Sequence, residues 1–122
     1  MIDRKIVNIF QPDVMYMGGL TRILKLANII NDYGFQCTPH AANLSLVTVC
    51  TMHFLKAIPN AGKYLEYSIE GEDYYPWQKE LFSKHPFNII DGNVEISDDP
   101  GWGVEINQNW LETSDYKISE LD

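Results

Sequence analysis

No apolar run in these 122 residues approaches the roughly 18–20 needed for a membrane-spanning helix, so no membrane partner is expected. Basic side chains are scarce, with nine Lys and Arg against seventeen Asp and Glu and a formal charge of −8. Nucleic-acid phosphates need a basic footprint, and this balance speaks against a nucleic-acid partner. Cysteine is nearly absent: Cys37 and Cys50 are the only two. They are too few for a disulfide scaffold and have neither a paired motif nor zinc-ligand spacing. Set among apolar or small neighbours, they read as buried thiols in a reducing compartment, which points to the cytoplasm. No secretory leader is expected, because Asp3, Arg4 and Lys5 are followed only by the short run at 6–10.

What is present reads as an ordinary globular balance. With 45% of the residues hydrophobic and 21% charged, disorder is disfavoured and one compact domain fits the length. The charge is unevenly placed. Residues 1–65 hold six basic groups against three acidic ones, whereas residues 66–122 hold three against fourteen. A shift this abrupt near Glu66 suggests two segments with different tasks, although a solvated acidic tail would look the same.

The first half alternates strand and helix. Residues 5–11 (KIVNIFQ) are short, β-branched and aromatic, and Pro12 with Asp13 ends the strand they predict. After Gly18 and Gly19, the recurrence of Leu20, Ile23, Leu24, Ala27 and Ile30 predicts a helix closed by a left-handed Gly34. Residues 35–38 form a second strand candidate, stopped by Pro39 and His40. The stretch 43–57 (NLSLVTVCTMHFLKA) predicts a helix capped by Asn43. It is apolar nearly all round and should pack on more than one side. Residues 63–66 (KYLE) are a third strand candidate. Beyond them come an aromatic acidic loop with Tyr74, Tyr75 and Trp77, and a hairpin turning at Asp91 and Gly92. A turn at 99–103 (DPGWG) follows, and the polar end is expected to fray.

Asp13, His40 and Glu66 stand where the three strands end, 27 and 26 residues apart. A βα barrel repeats a strand–helix unit at nearly constant length, roughly 31 residues in a barrel of about 250. The C-terminal ends of its parallel strands point into the active site, so this repetition would bring the three residues to one mouth. His40 suits a general base or acid near neutral pH. Asp13 would fix the imidazole tautomer and stabilise the imidazolium, and Glu66 could act as an acid or hydrogen-bond donor. A turn aspartate and a structural histidine are the plainer readings of the same residues.

The stretches QPDVMYMGGLT (11–21), TPHAANLSLV (38–47), AIPNAGKYLE (57–66) and PGWGVEIN (100–107) resemble the C-terminal region of enolase-superfamily enzymes of the mandelate racemase and muconate lactonizing type. The likeness covers about residues 6–111 and looks closest to the acid-sugar dehydratases. It implies a fold of class α/β: the C-terminal three βα units of a (β/α)8 TIM-type barrel over residues 1–70, then an acidic tail with a β-hairpin over 71–122. That tail would pack on a missing lid domain. It further implies a Mg²⁺-dependent lyase that removes the proton α to a carboxylate of a small acid-sugar substrate, or a related racemase. Asp13 and His40 would be the dyad ending the sixth and seventh strands, and Glu66 would hydrogen-bond the substrate carboxylate.

In the family the Mg²⁺ ligands and a catalytic lysine lie on earlier strands, so none is expected in this chain. Three βα units cannot close a barrel, which leaves sheet edges and apolar surface open. The chain is therefore expected to be a fragment, completed by a missing N-terminal part or another chain and homo-oligomeric when complete. The competing expectation is an inactive half-barrel that binds a partner or self-associates. Gly18 and Gly19 could bind an anion or simply make a tight turn. His53 reads as a core or interface residue and His85 as a surface turn residue. The aromatic loop could reach substrate or lid or serve packing. Calcium or magnesium binding by the acidic groups at 70–73 and 98–99 lacks EF-hand spacing.

Overall fold

The computed structural model describes residues 1–71 and 73–120. Glu72 of the acidic 70–73 group, and residues 121–122 at the end of the 71–122 segment, lie outside the described residues.

Strand β1 (Ile9–Phe10) and strand β2 (Gln36–Cys37) pair in parallel, Ile9 opposite Gln36 and Phe10 opposite Cys37. Both fall inside the stretches predicted as strands, with regular pairing confined to two residues each. Pairing continues toward the strand ends: Thr38 N–H donates to the Phe10 carbonyl at 2.8 Å and His40 N–H to the Pro12 carbonyl at 3.1 Å. Asp13 is thereby brought opposite His40. On its other side β2 bridges Ala61 in parallel, with Cys37 N–H on the Asn60 carbonyl at 2.9 Å and Gly62 N–H on the Cys37 carbonyl at 2.7 Å. The third strand expected at 63–66 is thus corrected. Contact with β2 is used up at Ala61 and Gly62, and the chain then runs on without ladder partners to Glu66.

Parallel neighbours need a crossover, and helix α1 (Leu20–Asp32) supplies it. Gly18 and Gly19 adopt φ of 83° and 96°, and their N–H groups donate to the Met15 and Val14 carbonyls. Both amides are used within the turn, so the anion reading falls and the tight-turn reading stands. Ile23, Ala27 and Ile30 are fully buried, each isoleucine contributing about 1.5–3 kcal/mol relative to exposure. Leu24, expected on this stripe, is exposed. The helix closes as predicted at Gly34 (φ 76°): its N–H donates to the Asn31 carbonyl and Phe35 N–H to the Ile30 carbonyl, a Schellman end.

Helix α2 (Leu46–Ala57) starts two residues later than the cap expected at Asn43. Ser45 caps it, its hydroxyl accepting from Val47 N–H at 3.2 Å, while Asn43 Oδ1 accepts from the Ser45 amide and hydroxyl. The helix packs on two sides, as its all-round apolarity predicts. Phe54 joins Val14, Ile23, Ala27, Ile30, Cys37 and Ile58 in one core. Val49 and Met52 join Leu44, Phe82 and Phe87 in a second.

The second core is where the C-terminal segment docks. Phe82 bridges Ile106 in antiparallel sense, and β3 (Ile89–Ile90) pairs with β4 (Asn93–Val94) around the predicted turn. Asp91 and Gly92 are both left-handed there, the pattern of a type I′ hairpin. The end expected to fray instead contains α3 (Gln108–Thr113), capped by Asn107 Oδ1 accepting from Asn109 N–H at 3.1 Å.

Candidate active site

The structure brings Asp13, His40 and Glu66 together, the first two opposite each other at the ends of paired parallel segments and Glu66 in the unpaired stretch that follows the Ala61 bridge. Asp13 Oδ1 accepts from the Met15 and Tyr16 amides at 2.7 and 2.9 Å, a turn that points the carboxylate back at its own strand end. Asp13 Oδ2 lies 2.9 Å from His40 Nδ1. A carboxylate only accepts, so Nδ1 carries the proton and neutral His40 presents an unprotonated Nε2. That Nε2 is 3.9 Å from Glu66 Oε2, a Coulombic contact rather than a hydrogen bond. The Asp13 side chain is 12% exposed and that of His40 51%, so the aspartate is covered and the imidazole accessible.

Burial alone would push the Asp13 carboxyl up. The hydrogen bonds from His40, Tyr16 and Met15 outweigh it and hold the carboxyl below its ordinary 3.8. The Asp13 hydrogen bond lifts His40 above its ordinary 6.5; partial burial opposes this, and the charges of Glu66 and Asp13 add to it. A carboxylate-bonded imidazole with its second nitrogen accessible has the groups that proton transfer needs.

Glu66 is tied to the same turn by its other contact, with Ala41 N–H donating to Oε2 at 3.0 Å. The backbone of residue 41 is a functional group that sequence reasoning missed, since an amide leaves no trace in residue type.

The remaining candidates fall outside this cluster. His53 is half-buried in α2, with Nε2 3.0 Å from the Trp102 carbonyl and its ring edge-on to Trp102. His85 is exposed, and its Nδ1 accepts from Phe87 N–H. Trp77 packs at a tilt against Tyr75 and donates from Nε1 to the Asn43 carbonyl at 3.0 Å. Both cysteines are free thiols; Cys37 is buried as expected, and burial pushes it up to about 11, whereas Cys50 is only half-buried. Two clefts, of about 540 and 400 Å³, flank α2 and the C-terminal segment, and neither includes Asp13, His40 or Glu66. Proximity of titrating groups marks the candidate site in this chain.

Among the described residues no group of three or more His, Cys, Asp or Glu side chains is disposed to hold a metal ion. Asp98 instead pairs with Lys56 at 3.6 Å and Asp99 accepts from the Ser97 hydroxyl. The described residues therefore do not fit a Mg²⁺ site. Among them, too, no helix is long and apolar enough to cross a membrane.

The family model described as enolase C-terminal domain-like matches residues 1–110. The chain belongs to this family. Its fold is accordingly the α/β, TIM-barrel type of the enolase C-terminal domain, and its structural neighbours are mandelate racemase and muconate lactonizing members of the enolase superfamily. Among family members, a protein of Caldivirga maquilingensis provisionally named an L-rhamnonate dehydratase is 33% identical over 107 residues, which are 86% of this chain and 25% of that protein. A D-mannonate dehydratase of Sphingomonas sp. is 25% identical over an alignment of 126 positions that covers 99% of this chain and 29% of that protein. A solved structure from Roseobacter denitrificans, provisionally named a racemase, is 56% identical with a TM-score of 0.91, covering 99% of this chain and 33% of that one. The chain thus spans a quarter to a third of the length of the relatives it matches.

Proposed function

We propose that this chain is the C-terminal portion of a larger enolase-superfamily enzyme that removes the proton α to a carboxylate, as an acid-sugar dehydratase. In this reading the barrel segment is 1–70, its last three βα units, and 71–122 is the acidic tail that packs on a lid. The observation that carries it is the His40–Asp13 pair, Nδ1 held at 2.9 Å and Nε2 left free, at the ends of paired parallel segments. The dehydratase names of two relatives support the substrate class.

His40 Nε2 accepts the α-proton while the C–H electron pair stays on the substrate, and Asp13 steadies the imidazolium that forms. The same Nε2–H then returns its proton to the departing β-hydroxyl, so that water leaves and the histidine is neutral again. Glu66 lies 3.9 Å from this nitrogen and is the proposed partner of the substrate carboxylate when a proton taken up from solvent is shared between the two carboxyl groups. The metal requirement implied by the family rests, in this proposal, on side chains other than those described. The complete enzyme is proposed to be a cytoplasmic homo-oligomer.

The test uses the intact enzyme that contains this chain. His40→Asn is expected to slow exchange of the substrate α-proton with deuterated water by at least about 10²-fold while the circular dichroism spectrum is kept. Exchange at the unaltered rate would remove His40 from the reaction.

A further inference from the structure

The turn that follows His40 is held from three directions, and two of the holding residues, Thr48 and Trp77, have no part in the proposed site. Leu44 adopts φ 48°, a left-handed conformation costly for a branched residue, and its side chain is buried in the second core. Such a conformation persists only where its surroundings over-determine it. Here they do. Ala41, itself buried, donates from N–H to Glu66 Oε2 at 3.0 Å and accepts at its carbonyl from Thr48 Oγ1 at 3.0 Å. The Thr48 hydroxyl is fully buried and also lies 3.3 Å from Asn43 Oδ1. The Asn43 carbonyl accepts from Trp77 Nε1 at 3.0 Å, reaching across 34 residues from the C-terminal segment.

We propose that Thr48 and Trp77 are positioning residues that clamp the turn at 41–45, so that the Ala41 amide holds the Glu66 carboxylate in place beside His40. The inference rests on the proposed roles of His40 and Glu66. Its physical basis is that a single peptide group links both: Ala41 follows His40 directly and its N–H is bonded to Glu66. A valine would fill the volume of Thr48, so a purely space-filling role needs no hydroxyl. A phenylalanine would keep most of the contact between Trp77 and Tyr75 without the N–H. With the clamp released, the Ala41 amide and Glu66 separate, and His40 loses part of the negative field that favours its charged form.

Thr48→Val, Thr48→Ser and Trp77→Phe separate positioning from packing in the 122-residue chain. The expected result is about tenfold faster hydrogen exchange at the Ala41 amide in Thr48→Val, the loss of one buried hydrogen bond, with the His40 titration midpoint by NMR moving down. Thr48→Ser restores both values, and Trp77→Phe moves both in the same direction by less. A lower melting temperature for Thr48→Val or Trp77→Phe with unchanged Ala41 exchange and unchanged His40 midpoint would overturn the proposal. These readouts do not use turnover. A catalytically silent His40→Asn would therefore refute the reaction and leave the clamp standing, and the reverse also holds.

Discussion

Residues 1–66 and residues 73–120 are built by different means. The first segment is joined by hydrogen bonds between residues far apart in sequence: Asp13 to His40, Ala41 to Glu66, and Asn60 to the Ala27 and Phe35 carbonyls. In the second, the side-chain bonds formed between residues 85 and 114 reach only two to four positions, as in Ser97 to Asp99 or Asn107 to Asn109, and the long reach is left to backbone bonds, Ser83 N–H to the Glu105 carbonyl and Asn107 N–H to the Leu81 carbonyl. Its attachments to the first are few and specific. Phe82 and Phe87 sit on α2, Trp77 bonds Asn43, and the Trp102 carbonyl meets His53. The difference teaches that the candidate site belongs to the tightly cross-linked segment, and that the C-terminal segment acts on it through points of contact.

The sharpest way to break this comparison is to empty each core in turn. Phe54→Ala and Phe87→Ala both remove a ring buried to 2% exposure and should each cost about 3–5 kcal/mol. Phe54→Ala is expected to unfold the whole chain at lower denaturant. Phe87→Ala should release the C-terminal segment while the Cys37 and Thr38 amides keep their protection from hydrogen exchange. Equal loss of that protection in both variants would make the two segments one cooperative unit.

Gly62→Ala is the next largest effect. A β-carbon there would collide with the Thr38 hydroxyl and press on the Thr38 β-carbon, so the Thr38 side chain must turn and the last parallel contact of β2 is strained. About 2–3 kcal/mol of destabilisation is expected in thermal melts, with the hairpin at Asp91 and Gly92 unaffected by NMR shifts.

The smallest effect sharpens the comparison at the site. The lowered Asp13 carboxyl contributes stability above its unfolded value of 3.8, lost as pH falls through its folded value. The raised His40 imidazole contributes fully below its unfolded value of 6.5, lost as pH rises through its folded value. The charged pair is therefore worth most between these two, near about pH 5. Because His40 is half exposed, Asp13→Asn should cost only about 0.2–1 kcal/mol there, and less by about pH 9. A cost that does not vary with pH in chemical denaturation would contradict the pairing.

Helix α1 was legible because Ile23, Ala27 and Ile30 mark one face and Gly34 its end. The start of α2 was misplaced because Asn43 and Ser45 are both good caps, and the choice between them depends on the turn at Leu44. The third strand was displaced because KYLE has strand character, whereas pairing with β2 is decided by Gly62 fitting against Thr38. Helix α3 carries only Trp110 and Leu111 as apolar residues, too few to show a period. The meeting of Asp13 and His40 was legible from their places after two predicted strands; Glu66 reaches them although the strand expected before it does not form. The Ala41 amide and the reach of Trp77 to Asn43 were not legible, since one is backbone and the other depends on how the C-terminal segment folds back.

The central claim is that these residues build a dyad with His40 Nε2 free to take a proton. Its most direct test is an NMR titration of the His40 ring in the 122-residue chain and in Asp13→Asn. The prediction is a midpoint above 6.5 with the proton of the neutral ring on Nδ1, and a midpoint that falls when Asp13 is replaced. A His40 that titrates at 6.5 with or without the Asp13 carboxylate, or whose neutral form carries its proton on Nε2, would contradict it.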